Sequence, residues 1–307
     1  MVIRRENNGK VNFKSNNLNV VANMYFPENF EKNRKYSAIV VNHPAGGVKE
    51  QTAGLYAEKL AELGYITMAY DASYQGESEG SPHNLEDPSS RVEDVRAAVD
   101  YFNTLNFVDD ERIGALGICA GGGYTIKATQ TEKRIKAVVG ISAADIGQNF
   151  RKGWNGDQNE EDINAVLDQV AEQRKSEAQG AEQKLVGFVP DEPTNDMDQE
   201  TKDGWEYYRT PRAQHERSIN RFPFISFDRM IEFTAFDLVD KLLTQPVLFI
   251  AGSEAGTRWQ SENAYERALD PKDIFIVEGA NHFDMYDKEP YVSQAVDKMK
   301  DFYNQYL

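Results

Sequence analysis

The chain contains a single cysteine, Cys119, among its 307 residues. One cysteine cannot form a disulfide within the chain, so the fold cannot rely on such a bond, as is expected in a reducing compartment. No run approaches the roughly 18 apolar residues that a membrane-spanning helix needs. The first residues include two arginines but no apolar stretch after them, unlike a secretory signal. These absences predict a cytoplasmic protein that has no membrane partner.

Basic residues are in the minority, with 34 Lys and Arg against 50 Asp and Glu, a formal net charge of −16. Nucleic acid and anionic membrane surfaces repel a protein with this balance, so neither is expected as a partner. The simplest interpretation of the charge is solubility. Hydrophobic residues make up 40% of the chain, as in an ordinary globular protein. A chain of this length can bury a large core without covalent cross-links.

Short apolar runs of strand length alternate with helical patterns from Tyr36 onward. The strand candidates are residues 37–41, 66–70, 113–117, 135–141, 247–250 and 274–277. Runs that are almost wholly apolar are typical of strands covered by helices on both faces. The alternation therefore predicts an α/β protein with a doubly wound, mostly parallel sheet.

Local signals predict two helix starts and one hairpin. Ser90 followed by Glu93 is typical of a capping box in front of a helix. Apolar residues at helical spacing follow that box: Val92, Val95, Val99, Phe102 and Leu105. Pro290 predicts the first turn of the last helix. Residues 11–27 alternate in polarity around an Asn-Asn pair, which predicts an antiparallel hairpin at the edge of the sheet.

Residues 145–240 interrupt the alternation of strands and helices. Their middle is acidic and rich in glutamine, with helical spacing over 163–170. Because a structureless loop of this length is improbable in a compact domain, we predict a mostly helical cap over the carboxyl edge of the sheet. Residues 1–144 and 241–307 would form the core. A partly disordered surface insert is the alternative. Within the insertion, His215 and its neighbouring arginines would meet an anionic substrate group or form a solvated face.

The pentapeptide GICAG at 117–121, followed by two further glycines, carries the strongest chemical signal. It follows a predicted strand and precedes a predicted helix. A nucleophile on such a strained turn projects into solvent, and small residues two positions away avoid collision. The helix N-terminus is expected to lower the pKa of the Cys119 thiol and so increase the reactive thiolate. A buried, inert cysteine in a tight turn is the alternative.

His282 is the candidate base, because it follows the last predicted strand and precedes the final helix. The chain order would then be nucleophile, acid, histidine. The acid is expected after strand 247–250, where Glu254 is the only carboxylate in the turn; its contact with the imidazole would fix the tautomer. An exposed loop glutamate is the alternative for Glu254, and Asp237 and Asp240 are the next candidates. Cysteine enzymes tolerate a weak third member, because a thiol is already partly ionised.

The loop after the strand at 37–41 reads HPAGG. In this arrangement the backbone N–H groups of Ala45 and Ala120 are the predicted donors of an oxyanion hole, since Pro44 has no N–H. His43 is expected to order the loop. Asp71 ends another strand near the same edge and is expected to hold the turn that follows it.

Taken together, these residues resemble the α/β-hydrolase superfamily and, within it, the dienelactone-hydrolase-related bacterial hydrolases that carry a G-x-C-x-G-G elbow. The resemblance rests on His43-Pro44 with Gly46-Gly47, Asp71 with Gly76-Glu77-Ser78, residues 117–122 and residues 279–282. It implies a Cys–His–acid triad that hydrolyses an ester or lactone without a metal or an organic cofactor. This chain departs from the family at the acid, where Ala255 stands in the place of an aspartate. The large insertion is a second departure, so the family's substrate is not carried over.

The sequence predicts a hydrolase that cleaves a small ester, lactone or thioester through an acyl-enzyme on Cys119. The expected partner is a small acyl substrate, and a homodimer is left open. A non-catalytic small-molecule-binding protein that retains the fold is the alternative, because the aspartate is missing. Glutamine amidotransferases share the G-x-C-x-G elbow but place their base in a His-x-Glu pair, whereas Phe283 and Asp284 follow His282 here.

Overall fold

The computed structural model describes residues 8–158 and 163–307. An eight-stranded sheet forms its centre, and a two-stranded sheet lies apart from it. In chain order the strands of this part of the chain are β1 (Asn8–Ser15), β2 (Leu18–Tyr25), β3 (Tyr36–Asn42), β4 (Ile66–Tyr70), β5 (Val108–Ile118), β6 (Ile135–Ile141), β7 (Leu185–Gly187), β8 (Arg221–Pro223), β9 (Val247–Gly252) and β10 (Lys272–Val277).

The large sheet has the order β1-β2-β4-β3-β5-β6-β9-β10. All pairings from β4 to β10 are parallel. The pairings of β2 with β1 and with β4 are antiparallel. Asn16 and Asn17 form the hairpin turn with positive φ angles of 45° and 68°, which asparagine tolerates better than most residues. The mostly parallel sheet and its N-terminal antiparallel hairpin are therefore confirmed.

Helices cover both faces of the sheet. They are α1 (Thr52–Glu62), α2 (Pro88–Asn103), α3 (Ala120–Thr129), α4 (Ile146–Lys152), α5 (Ile163–Ala178), α6 (Gln199–Arg209), α7 (Phe227–Glu232), α8 (Val239–Leu242), α9 (Arg258–Arg267), α10 (Asp284–Asp287) and α11 (Tyr291–Tyr306). Neighbouring side chains of a strand point to opposite faces, so Val40 packs in the core beneath α2 and α3 while Ile39 packs beneath α1 and α11.

The start of α2 differs from the prediction. Asp87 caps the helix by accepting the N–H groups of Ser89 and Ser90, and Pro88 occupies the first turn. The capping box of Ser90 and Glu93 is therefore wrong, because an aspartate followed by proline is already a strong helix start three residues earlier. The predicted apolar stripe is buried from Val92 to Phe102, and Leu105 lies beyond the end of the helix.

The insertion at 145–240 lies between β6 and β9 and holds helices α4 to α7. Strands β7 and β8, which the sequence pattern did not predict, pair within it. Its side chains Phe222 and Met230 belong to the same apolar core as sheet residues, and Tyr207 and Tyr208 belong to the core on the other face. The insertion thus shares its apolar packing with the sheet, while its boundaries as a domain stay a prediction.

Within the described residues, no helix combines the length and the apolar character needed to cross a lipid bilayer. The cytoplasmic location predicted from the sequence stays a prediction.

Candidate active site

Cys119 lies between β5 and α3 with φ 56° and ψ −127°, a backbone conformation that is strained for a residue with a side chain. Neighbouring backbone fixes it there. The N–H of Cys119 donates to the carbonyl of Ile141 at 2.9 Å, and its carbonyl accepts the N–H of Ala144 at 2.9 Å. The thiol remains half-buried. A strained backbone conformation that neighbouring segments hold in place by hydrogen bonds is typical of a nucleophile elbow.

The glycines around Cys119 permit close contact between backbone segments. A Cβ atom at Gly117 would collide with the carbonyl of Gly121. A Cβ atom at Gly121 would lie 2.5 Å from the carbonyl oxygen of His43. The elbow therefore packs directly against the loop that follows β3, and no side chain fits between them.

The thiol of Cys119 does not have the lowered pKa that the sequence predicted. Burial raises its pKa, and this effect exceeds the lowering by the hydroxyl of Tyr286 and the N–H of Ala120. The expectation from the helix N-terminus is wrong because the side chain packs against both apolar cores, where a thiolate loses hydration. The thiol is therefore protonated at neutral pH, and a nearby base has to accept its proton.

His282 is fully buried at the carboxyl edge of the sheet. Its Nδ1 lies 2.6 Å from Oγ1 of Thr257, and its Nε2 lies 3.1 Å from the hydroxyl of Tyr286. The indole ring of Trp154 lies 4.7 Å from the imidazole, measured between ring centroids. Burial lowers the pKa of His282 from its ordinary 6.5 to about 3, so the ring is neutral at pH 7.

The structure does not bring Glu254 to His282. The side chain of Glu254 is exposed, and its carboxylate accepts only a long hydrogen bond, 3.3 Å, from Ser253. The turn after β9 continues beyond Glu254, and Thr257 is the residue that reaches the imidazole. Of the further acid candidates, Asp240 pairs with Arg267 and Asp237 offers its carbonyl to the same arginine. Among the described residues, no carboxylate contacts the ring.

The predicted oxyanion-hole donors lie on either side of the contact between the elbow and the loop after β3. Ala45 and Ala120 are both buried, and among the described residues neither backbone N–H has an acceptor in the backbone. His43 holds the loop as predicted: its Nδ1 lies 2.7 Å from the carbonyl of Pro44, and its Nε2 accepts the N–H of Ala72 at 3.1 Å. Two N–H groups that lie beside a nucleophile without a backbone acceptor are what an oxyanion requires.

The chain is similar to several known proteins. The dienelactone hydrolase family model matches residues 22–149, which include the loop after β3 and Cys119. The uncharacterized protein YcjY of Escherichia coli is 43% identical over 304 residues, 98% of this chain and 99% of that protein. The crystal structure of a hypothetical protein from Pseudomonas aeruginosa has a TM-score of 0.92 and 34% identity, covering 98% of this chain and 94% of that one.

This chain belongs to the dienelactone hydrolase family. A thiohydrolase of Aspergillus aculeatus, aneE, is also 31% identical, over 104 residues that make up 34% of this chain and 33% of that protein. The match to the family model ends before most of the insertion and before His282.

Glu200 on α6 is a half-buried carboxylate that reaches from the insertion to the histidine loop. It accepts the N–H of His282 at 2.7 Å, the N–H of Gly256 at 3.0 Å and Nε1 of Trp154 at 2.6 Å. Burial raises the pKa of Glu200, although these three donors lower it in part. Glu200 contacts the backbone around His282 and not the ring, so it positions the loop. The sequence offers no local signal for it, because 82 residues separate the two partners.

The insertion meets the core at the edge where Cys119 lies. Phe188 packs so closely over Gly46 that a Cβ atom there would lie 2.6 Å from its ring. Tyr208 on α6 is buried near Cys119, and the charge of the thiolate would raise the already high pKa of that phenol. These contacts bring aromatic side chains of the insertion to the loop after β3 and to the neighbourhood of Cys119.

The remaining polar candidates stabilise the fold. Asp71 accepts the N–H of Lys49 at 2.8 Å, the N–H of Glu77 at 2.8 Å and Nζ of Lys49 at 2.7 Å, as expected of a residue that holds a turn. His215 accepts the N–H of Arg217 through Nδ1. The guanidinium of Arg217 pairs with Glu50 of the core at 2.6 Å. The cations near His215 therefore tie the insertion to the core.

Proposed function

We propose that the protein hydrolyses a small ester, lactone or thioester through an acyl-enzyme on Cys119, with His282 as the general base. The observation that carries the proposal is the half-buried sulfur of Cys119 on a strained elbow, next to two backbone N–H groups that have no backbone acceptor. The neutral imidazole of His282 supports the same reaction, because a protonated thiol needs a base before it can attack.

In the proposed reaction, the sulfur of Cys119 attacks the acyl carbon while the thiol proton passes to Nε2 of His282. The N–H groups of Ala45 and Ala120 donate to the oxyanion of the tetrahedral intermediate. The imidazolium then gives its proton to the leaving oxygen or sulfur. Water, deprotonated by the same imidazole, hydrolyses the thioester bond to Cys119 and restores the free thiol. The steps need no metal and no organic cofactor.

The test combines a substrate screen with two variants. A series of p-nitrophenyl esters, lactones and acyl thioesters of graded chain length identifies a substrate, and intact-mass spectrometry detects the acylated chain. Cys119→Ala is expected to abolish both turnover and acylation without unfolding the protein. Cys119→Ser is expected to lose several orders of magnitude in turnover, because a hydroxyl depends more on a complete triad than a thiol does. Turnover that survives in Cys119→Ala would refute the proposal.

A non-catalytic binding protein is the second candidate, and one observation favours it. Thr257 occupies the side of His282 where a triad acid is expected. A hydroxyl cannot stabilise an imidazolium as a carboxylate does. A wild-type chain that hydrolyses none of these substrates, and that intact-mass spectrometry never shows acylated, would support this second function.

A further inference from the structure

Tyr286 lies between the two groups that the proposed function assigns to catalysis. It belongs to α10 and is almost fully buried. Its hydroxyl is 3.1 Å from Nε2 of His282 and faces the thiol of Cys119 closely enough to act on that group. Among the described residues, the hydrogen bonds of the imidazole go to Thr257 and Tyr286, and none goes to Cys119.

The backbone around Tyr286 is held in place from α1. The carbonyl of Tyr286 accepts the hydroxyl of Thr52 at 2.9 Å, and the carbonyl of Met285 accepts the hydroxyl of Tyr56 at 2.7 Å. The ring packs edge-to-face on Tyr207, with 5.0 Å between ring centroids. A phenol fixed on this many sides has little freedom to leave the space between the nucleophile and the base.

The partners of His282 are compatible with a chain of hydrogen bonds in which each group donates to the next. Thr257 accepts from Nδ1–H of His282, which leaves the lone pair of Nε2 to accept the hydroxyl proton of Tyr286. A relay further requires the phenol oxygen to accept the S–H of the neighbouring Cys119. We infer that Tyr286 is a catalytic residue that relays the proton from Cys119 to His282; this inference rests on the proposed function.

In the relay, the S–H bond of Cys119 breaks as a new O–H bond forms on Tyr286. The original O–H bond of Tyr286 breaks as an N–H bond forms on Nε2 of His282. The products are a thiolate, a neutral phenol and an imidazolium, so the net charge is unchanged. Burial raises the pKa of Tyr286 well above its ordinary value. A free tyrosinate is therefore unfavourable, and the two protons move together.

The single cysteine makes the test specific, because iodoacetamide followed by intact-mass spectrometry then reports on Cys119 alone. Tyr286→Phe keeps the ring and removes the hydroxyl, and it is expected to lower the alkylation rate at pH 7 at least about tenfold. His282→Ala is expected to lower the rate by a similar factor. In the double variant the loss should equal that of either single variant, because both changes interrupt one path.

Tyr207→Phe is the matched control. It removes another buried phenol hydroxyl, the acceptor of the N–H of Thr52 at 2.8 Å, and is expected to leave the alkylation rate within twofold. A proton inventory on the wild-type protein needs no variant. Its rate should curve downward with the deuterium fraction, as two protons in flight require, whereas a straight line would overturn the relay.

The outcomes separate the relay from the function on which it rests. If Tyr286→Phe alkylates as fast as the wild type, or if its loss multiplies with that of His282→Ala, the relay is wrong while a cysteine hydrolase remains. If the wild-type chain hydrolyses none of the acyl substrates and is never acylated, or if Cys119→Ala still hydrolyses them, the proposed function is wrong as well.

Discussion

At Cys119, burial and hydrogen bonding act on the thiol in opposite directions, and burial has the larger effect. Because its pKa is raised, the protonated form persists to higher pH than in free cysteine, whose pKa is about 8.5. We expect the alkylation rate of Cys119 by iodoacetamide to keep rising above pH 9, where the rate of free cysteine levels off. The measurement is a rate profile from pH 6 to 10.5 with free cysteine as the reference. A plateau below pH 8 would mean a lowered thiol pKa.

At the imidazole, the hydroxyl of Thr257 takes the position where the family resemblance implied a carboxylate. Thr257→Val keeps the shape of the side chain and leaves Nδ1 of His282 buried without a partner. We expect the free energy of unfolding to fall by about 1–3 kcal/mol. Turnover of the best acyl substrate should fall by about tenfold, the equivalent of one neutral hydrogen bond.

Thr67→Val is the control for this prediction. It removes another buried threonine hydroxyl, which donates to the carbonyl of Ala57 at 2.7 Å. Urea unfolding should show a similar loss of stability with unchanged turnover. If both variants keep full turnover, Thr257 does not orient the base.

Among the elements, α6 links the insertion to the histidine loop through Glu200. Glu200→Gln keeps the size of the side chain but replaces a charged acceptor of three N–H groups with a neutral one, and an amide offers only one oxygen. Hydrogen bonds to a charged group contribute about 1.5–3 kcal/mol. We therefore expect a loss of stability of that order and a fall in kcat of at least about tenfold.

The exposed Glu206 on the same helix provides the control. Glu206→Gln removes an identical charge from α6 and should leave kcat and stability unchanged, as measured by turnover and by urea unfolding. If both variants lost kcat and stability equally, the net charge of α6 would be the cause, and the contacts of Glu200 would not be.

The sequence predicted those elements whose signal is local. The apolar runs identified the parallel strands, and GICAG identified the elbow, because strand burial and the steric needs of a tight turn are visible in neighbouring residues. Thr257 and Glu200 were missed because their roles depend on contacts between distant parts of the chain. Glu254 is the only carboxylate in its turn, but the direction in which that turn continues is set by packing on the sheet.

On the scale of the whole molecule, the insertion and the sheet share their stabilising contacts. Phe222 and Met230 lie in one apolar core with sheet residues. An ion pair adds to this contact: Arg212 pairs with Asp287 at 2.5 Å, next to the catalytic candidate Tyr286 in α10. The interface between the insertion and the sheet therefore stabilises the chain at the edge where Cys119 and Tyr286 lie.

This shared core predicts that the insertion and the sheet unfold together. Two tryptophans, Trp154 and Trp205, lie in the insertion, whereas Trp259 lies in α9. In a Trp259→Phe variant, fluorescence would report on the insertion while far-UV circular dichroism reports on the helices and strands of the whole chain. We expect the two urea transitions to coincide, because an insertion that opened alone would expose apolar side chains on both sides of the interface. A fluorescence change at lower urea than the change in circular dichroism would show that the insertion opens independently, and access to Cys119 would then be governed by that opening rather than by the fixed edge of the sheet.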